Sequence, residues 1–262
     1  DNESSKLAAS FQEGSVKKLI LCPGLPRSGT TSLWNLLSCN NIIKKSNYKE
    51  IHYLSLLHSN FDPMYPSELI NPHVSYIISK NEKRGLVHPY NLDNYISYLN
   101  CNPSDFSQSY FLLPEDFLYE VNNKLKDYFD VKIILIYREP IKRLISYMGM
   151  LHSDASFFGI NLKDKRDLFM EYINNPKLQS LYKDVKEKYE RVFENVMCLT
   201  TEHFFLDQNR QKQLTEFLEV PVLNVVPSPQ NVRNYKVKLS DEDLKLTRYK
   251  LKDSIDFYEK LI

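Results

Sequence analysis

Gly24-Leu25-Pro26-Arg27-Ser28-Gly29-Thr30-Thr31-Ser32 follows the apolar run Leu19-Ile20-Leu21-Cys22 and precedes Leu33-Trp34-Asn35-Leu36-Leu37. An apolar strand, a tight loop with two glycines and an amphipathic helix together form an anion site. The loop N–H groups and the unpaired N–H groups of the first helical turn converge on one point, where the helix dipole also favours negative charge. Ser28, Thr30, Thr31 and Ser32 add hydroxyl donors, and Arg27 adds a fixed positive charge. The spacing of Gly24 and Gly29 fits the nucleoside-triphosphate loop G-x-x-x-x-G-K-[ST], but Thr30 stands where that pattern needs lysine. The cation sits inside the loop instead, as Arg27.

A second segment has the same strand-to-helix layout. Val131-Lys-Ile-Ile-Leu-Ile-Tyr137 is β-branched, apolar and of strand length, as expected of a buried parallel strand. It runs into Arg138-Glu-Pro-Ile-Lys-Arg-Leu-Ile-Ser146, where Pro140 suits a first helical turn because its missing N–H costs nothing there. An arginine at the strand end and a serine two turns into the helix are placed to grip one anion from two sides.

These two motifs resemble those of the sulfotransferases that use phosphoadenosine phosphosulfate (PAPS). The family's first cofactor motif reads Pro-(Arg/Lys)-x-Gly-Thr-(Thr/Arg), and Pro26-Arg-Ser-Gly-Thr-Thr31 fits it without a gap. Its Arg-(Asp/Asn/Glu)-Pro strand end with a later serine holds the 3′-phosphate, and Arg138 and Ser146 match it. Lys49-Glu-Ile-His-Tyr53 is similar to the Lys-Glu-x-His-Phe stretch of the heparan or carbohydrate branch, whose glutamate is the catalytic base. The resemblance therefore implies Glu50 as base, with His52 as an acid–base or acceptor-orienting group. A positioned carboxylate is what a hydroxyl acceptor needs to become a nucleophile. Taken singly, Glu50 reads better as half of a solvated Lys–Glu pair on a strand edge, and His52 as a satisfied core side chain.

Two further matches follow in family order. Ser109-Tyr-Phe111 resembles a Ser/Thr-Pro-x-Tyr-Phe element, without its proline. Asn231-Val-Arg-Asn-Tyr235 is similar to the late Lys-Gly-Arg-Lys-Tyr loop that closes over the 3′-phosphate. There Arg233 and Tyr235 match, while the glycine and both lysines are lost.

The implied fold is α/β, a P-loop-like parallel sheet flanked by helices on both faces. Residues 1–15 are expected to be flexible, and 16–262 to form a single domain. The implied reaction moves sulfonate from PAPS to an acceptor hydroxyl, a carbohydrate being favoured, with PAP as product and no metal required. A small-molecule or nucleoside kinase with a similar loop is one rival; it would need magnesium, and Glu139 is the acid nearest to hand for it. A catalytically silent PAPS-binding protein is another, since a fold does not guarantee turnover.

Composition bounds the rest. Across 262 residues, 34 Lys and Arg face 33 Asp and Glu, so no broad field points to nucleic acid or an anionic membrane. No apolar stretch approaches the ~18–20 residues of a membrane span. The polar start Asp1-Asn-Glu-Ser-Ser-Lys6 has no signal-peptide pattern, and a trimmed N-terminal anchor stays open as an alternative. Cys22, Cys39, Cys101 and Cys198 lack metal-ligand spacing and are expected to be buried thiols, which favours the cytoplasm. The Tyr-, Asn- and His-rich segment 54–113 is expected to be irregular and to wall the acceptor pocket. Helices are expected at 92–99, 115–128, 162–174, 177–194 and 208–218, a strand at 195–200, and a last helix opened by Ser240-Asp-Glu-Asp243.

Overall fold

The computed structural model describes residues 16–44, 48–59, 65–86, 88–223 and 237–262. Strand β1 (Lys17–Leu21) feeds helix α1 (Thr30–Cys39) through the glycine loop. Helices α2 (Tyr53–His58), α3 (Ser67–Glu82) and α4 (Leu92–Cys101) follow. Next come the short strand β2 (Ser104–Asp105), a 3-10 turn (Gln108–Leu112) and α5 (Glu115–Leu125). The second motif is β3 (Phe129–Tyr137) and α6 (Pro140–Phe158). After α7 (Lys165–Ile173), α8 (Pro176–Gln179) and α9 (Leu181–Val192), the chain forms β4 (Val196–Thr200), α10 (Thr201–Phe204) and α11 (Gln208–Leu218). Two final helices are α12 (Asp241–Lys250) and α13 (Lys252–Glu259).

The four strands pair in parallel, in the order β2-β1-β3-β4. Because strand side chains alternate, successive residues feed opposite faces. Leu19, Leu21, Ile133, Leu135 and Tyr137 pack with α5, α6 and α9 on one face. Ile20, Cys22, Ile134 and Ile136 pack with Leu33, Leu36 and Leu37 of α1 and Leu214 and Leu218 of α11 on the other. The sheet is thus covered on both sides, as β3 with seven consecutive buried residues requires. All parallel strands end on one edge, so the loops after β1, β3 and β4 meet there.

Several local expectations change. The stretch 54–113 is more regular than its composition implies: α3 runs 16 residues with Pro72 inside it. The expected 177–194 helix is two, α8 and α9, meeting at Ser180 with φ −101° and ψ 3°. The last helix likewise breaks at Leu251. Its start holds, since Ser240 and Asp243 form a reciprocal capping box. All four cysteines are free, yet Cys39 and Cys101 are exposed: Cys39 ends α1 and Cys101 ends α4, where both helices meet solvent. Burial pushes the Cys22 and Cys198 thiols up to about 12. No helix of the described residues is long and apolar enough to cross a membrane. The expected flexible segment, residues 1–15, lies outside the described residues.

Gly24 is fixed by close approach as well as by conformation. Its φ is +115°, and a Cβ there would stand 2.7 Å from the Gln108 carbonyl oxygen. Gly24→Ala is therefore expected to destabilise the protein by about 2 kcal/mol or more. Urea unfolding monitored by circular dichroism measures this, and an unchanged midpoint would contradict the close contact.

Candidate active site

The loop between β1 and α1 is shaped by two left-handed residues, Arg27 (φ 65°) and Gly29 (φ 91°). Such a turn directs successive N–H groups inward. Gly29 is the N-cap of α1, and no side chain caps that helix. The N-terminus of α1 therefore has no side-chain acceptor at its cap and is a candidate anion site. Ser28 Oγ is buried with no hydrogen-bond partner among the described residues. A buried hydroxyl aimed at no partner is costly unless a ligand completes it. The backbone is braced from β3 and the start of α10: Leu25 N donates to Ile136 O at 3.4 Å, and Thr201 Oγ1 donates to Ser28 O and, at 3.0 Å, to Tyr137 O. Ser32 lies buried in the first turn of α1.

The second motif closes on the first. Arg27 Nε donates to Ser146 Oγ at 3.0 Å across 119 residues of sequence. Arg138 donates to the Arg27 carbonyl at 3.4 Å and pairs with Glu202 at 3.8 Å. Tyr182 holds the Arg138 carbonyl at 2.6 Å, and Tyr258 donates to Glu202 at 2.6 Å, so Arg138 is steadied from several elements. Glu139, the acid a kinase reading would recruit for metal, instead caps α6: it accepts from Ile141 N at 3.2 Å and Lys142 N at 2.7 Å. Arg233 and Tyr235 lie outside the described residues.

Glu50 faces the loop. It pairs with Lys49, accepts from Gln108 Nε2 at 2.7 Å, and lies 3.3 Å from His52 Nε2. Burial alone would raise its carboxyl, but Lys49 and His52 outweigh burial and hold it far below the usual carboxylate range. His52 is no idle core residue: its Nδ1 lies 2.7 Å from Ser109 Oγ, which in turn lies 2.7 Å from Ser55 Oγ. A cavity of about 110 Å³ opens beside Glu50. Pro26, Phe111, Tyr147 and Met150 give it apolar walls, while His73 and Asp154 add polar edges. Segment 54–113 supplies part of this wall, α6 another part, and Pro26, Glu50 and His52 the rest. Tyr65 donates to Asp154 at 2.8 Å, and burial pushes the Asp154 carboxyl up.

Several residues that the sequence reading passed over position this site. Ser107 Oγ accepts from Ile51 N at 3.1 Å and His52 N at 2.8 Å, and donates to the buried Asp105. Asp105 also accepts from Tyr95 at 2.9 Å and Tyr110 at 2.6 Å. Burial, the largest influence, pushes the Asp105 carboxyl up against these bonds, which favour its charged form. Arg84 donates to the Glu50 carbonyl at 2.8 Å, and the buried Arg143 reaches the Pro26 carbonyl at 3.5 Å. The only sequence signal for this scaffold is the Ser-x-x-Tyr-Phe pattern of 107–111, read from Ser107 rather than from Ser109.

No protein-family model matches the chain, and no curated protein matches it in sequence. Solved structures do. The chain is similar to the sulfotransferase from Alicyclobacillus acidocaldarius at 18% identity and TM-score 0.54, over 92% of this chain and 97% of that one. It is also similar to the sulfotransferase domain of the Synechococcus PCC 7002 olefin synthase, at 16% identity and TM-score 0.51, over 95% and 97%. At such identity the likeness establishes the fold: a sulfotransferase-type α/β sheet.

Ser107→Ala leaves two enclosed N–H groups without their acceptor, and is expected to cost about 1–3 kcal/mol in denaturant unfolding; a loss below a few tenths would remove Ser107 as an anchor. His73 is one pH-sensitive group beside the cavity. Burial and the charge of His52, with Lys80, lower it to about 4 against the pull of Glu50. The unfolded chain takes up this proton near pH ~6.5. Its contribution to stability is therefore complete above that pH and declines as pH falls toward 4. His73→Gln should flatten the stability profile in that window, and an unchanged slope would exclude His73 as its source.

Proposed function

We propose that the protein is a sulfotransferase that moves sulfonate from PAPS to an acceptor hydroxyl. The observation that carries this reading is the meeting of Arg27, Ser146 and Arg138 at an uncapped helix N-terminus, with Glu50 beside them. The unpartnered Ser28 hydroxyl and an α1 N-terminus that no side chain caps fit the phosphosulfate end of PAPS. Arg138 and Ser146 are the residues proposed for its 3′-phosphate. PAPS supplies a sulfonate already activated on a phosphate leaving group.

The chain's part is to place and deprotonate. Pro26, Phe111, Tyr147 and Met150 enclose the acceptor and exclude water, and Glu50 and His52 stand at the cavity edge where the hydroxyl is presented. Glu50 takes the hydroxyl proton as the acceptor oxygen bonds to sulfur. The bond from sulfur to the 5′-phosphate oxygen breaks, and its electron pair stays on that phosphate. Arg27 and the α1 amides stabilise the charge that grows there, so no metal is assigned a role. His52, fixed by Ser109, orients the acceptor. The Lys49–His52 resemblance favours a carbohydrate acceptor, and tyrosine in the wall suits stacking on a sugar ring. Against the kinase reading, the Glu139 carboxylate is already spent on capping α6.

Incubation with sulfur-labelled PAPS and a panel of saccharide, phenol and alcohol acceptors tests the assignment. Label is expected to move to at least one hydroxyl acceptor without added metal. Glu50→Gln is expected to lower kcat by 10²-fold or more, on the order of a lost general base, with cofactor affinity retained. A near-normal rate in that variant would remove Glu50 as the base.

A further inference from the structure

Lys49 touches both halves of the site. Its ammonium donates to Thr31 Oγ1 at 2.9 Å and Thr30 Oγ1 at 3.2 Å, and its remaining capacity goes to Glu50 Oε1. An ammonium has three N–H donors, so these contacts saturate it. Thr30 and Thr31 open α1, and a cation at a helix N-terminus is electrostatically misplaced. Glu50 compensates that charge. In effect the carboxylate serves as the anion for a lysine whose neighbours are built to receive a different one.

We infer that Lys49 is a coupling residue: it holds the Glu50 carboxylate paired until an anion enters the loop, then turns to that anion and leaves Glu50 to accept the hydroxyl proton. This rests on the sulfotransferase reading and deepens it, because it makes base strength depend on cofactor occupancy. The long lysine stem permits the turn, since Lys49 already contacts two hydroxyls of the loop proposed to receive the anion. Glu50 itself is held for the exchange. Arg84 fixes its carbonyl, and Gln108 keeps the carboxylate oriented when Lys49 departs. The other charged or titratable groups around it are His52 on its own segment, His73 and Lys80 from α3, Arg84 just beyond that helix, and Asp154 of α6 across the cavity. None of these bridges the carboxylate to the loop hydroxyls. The paired state is also a weak base, consistent with the downward displacement of the Glu50 carboxyl by Lys49. Without cofactor, the site does not deprotonate an acceptor that arrives first.

The test is the titration of the Glu50 carboxyl in the whole protein, by carbon-13 NMR, with its signal assigned through Glu50→Gln. Wild type, Lys49→Met and Lys49→Arg are each compared alone and with PAP. Alone, wild type should keep Glu50 ionised well below the ordinary range, while Lys49→Met should titrate about 1–3 units higher, the usual effect of losing an adjacent cation. PAP should raise the wild-type titration by more than it raises that of Lys49→Met. Lys49→Arg should restore the low titration without PAP. Equal titrations of wild type and Lys49→Met, or an equal rise with PAP in both, would overturn the coupling while leaving the sulfotransferase reading standing. Absence of any PAP-induced shift across the loop resonances would instead overturn that reading, and the coupling with it.

Discussion

The hydrogen bond from Arg27 to Ser146 joins two segments that the sequence keeps more than a hundred residues apart, and the site exists only where they meet. Strand order makes the meeting possible. With β1 and β3 adjacent and parallel, their carboxyl ends deliver the glycine loop and the Arg138 turn to one edge. Strand β4 then brings Thr201 under the loop and Glu202 beside Arg138. Positive charge is thereby concentrated at a helix N-terminus, an arrangement that disfavours itself until an anion arrives. The energy for holding it comes from the core beneath, where Ile133, Ile134, Leu135 and Ile136 are fully buried.

The acidic side of the site is held with equal care by a different device. Asp105, at the end of the edge strand β2, is a buried carboxylate receiving bonds from Ser107, Tyr95 and Tyr110. Through Ser107 it fixes the backbone of Ile51 and His52, and so the direction in which Glu50 points. Burying that carboxylate costs free energy, and the hydroxyl donors offset the cost. Such a network specifies one loop conformation where an apolar contact would admit several. Glu50 is consequently close to the glycine loop without being part of it, the separation that the proposed acceptor chemistry needs.

Much of this was legible in the sequence, for local reasons. The β1 loop and the β3–α6 motif are contiguous patterns in which strand, turn residue and helix cap agree with one another. Gln208–Leu218 was readable for the same reason, with Asp207 as its cap. Helix α3 was not, because only Leu69, Ile77 and Asn81 are buried on it and Pro72 interrupts the pattern. The division of 177–194 was hidden because Ser180 ends one helix and opens the next without a strong breaker. Gln108 and Ser107 were missed as site residues since their importance arises from contacts across more than fifty positions, which no local spacing reveals, and Asp105 acts only through Ser107. Ser109, noted only as part of a motif, proved to hold His52.

The ligand proposed for the loop is a bisphosphorylated nucleotide, held through arginine and backbone amides. Calorimetric titration with PAP in the presence of a metal chelator tests this most directly, with ADP and magnesium as the comparison and Arg138→Ala as the variant. Metal-independent binding of PAP, weakened by about tenfold or more on loss of a charge-assisted contact, is the result expected. Binding of ADP with magnesium but not of PAP would contradict the account, and Arg27, Arg138 and Glu50 would then belong to a phosphoryl-transfer site.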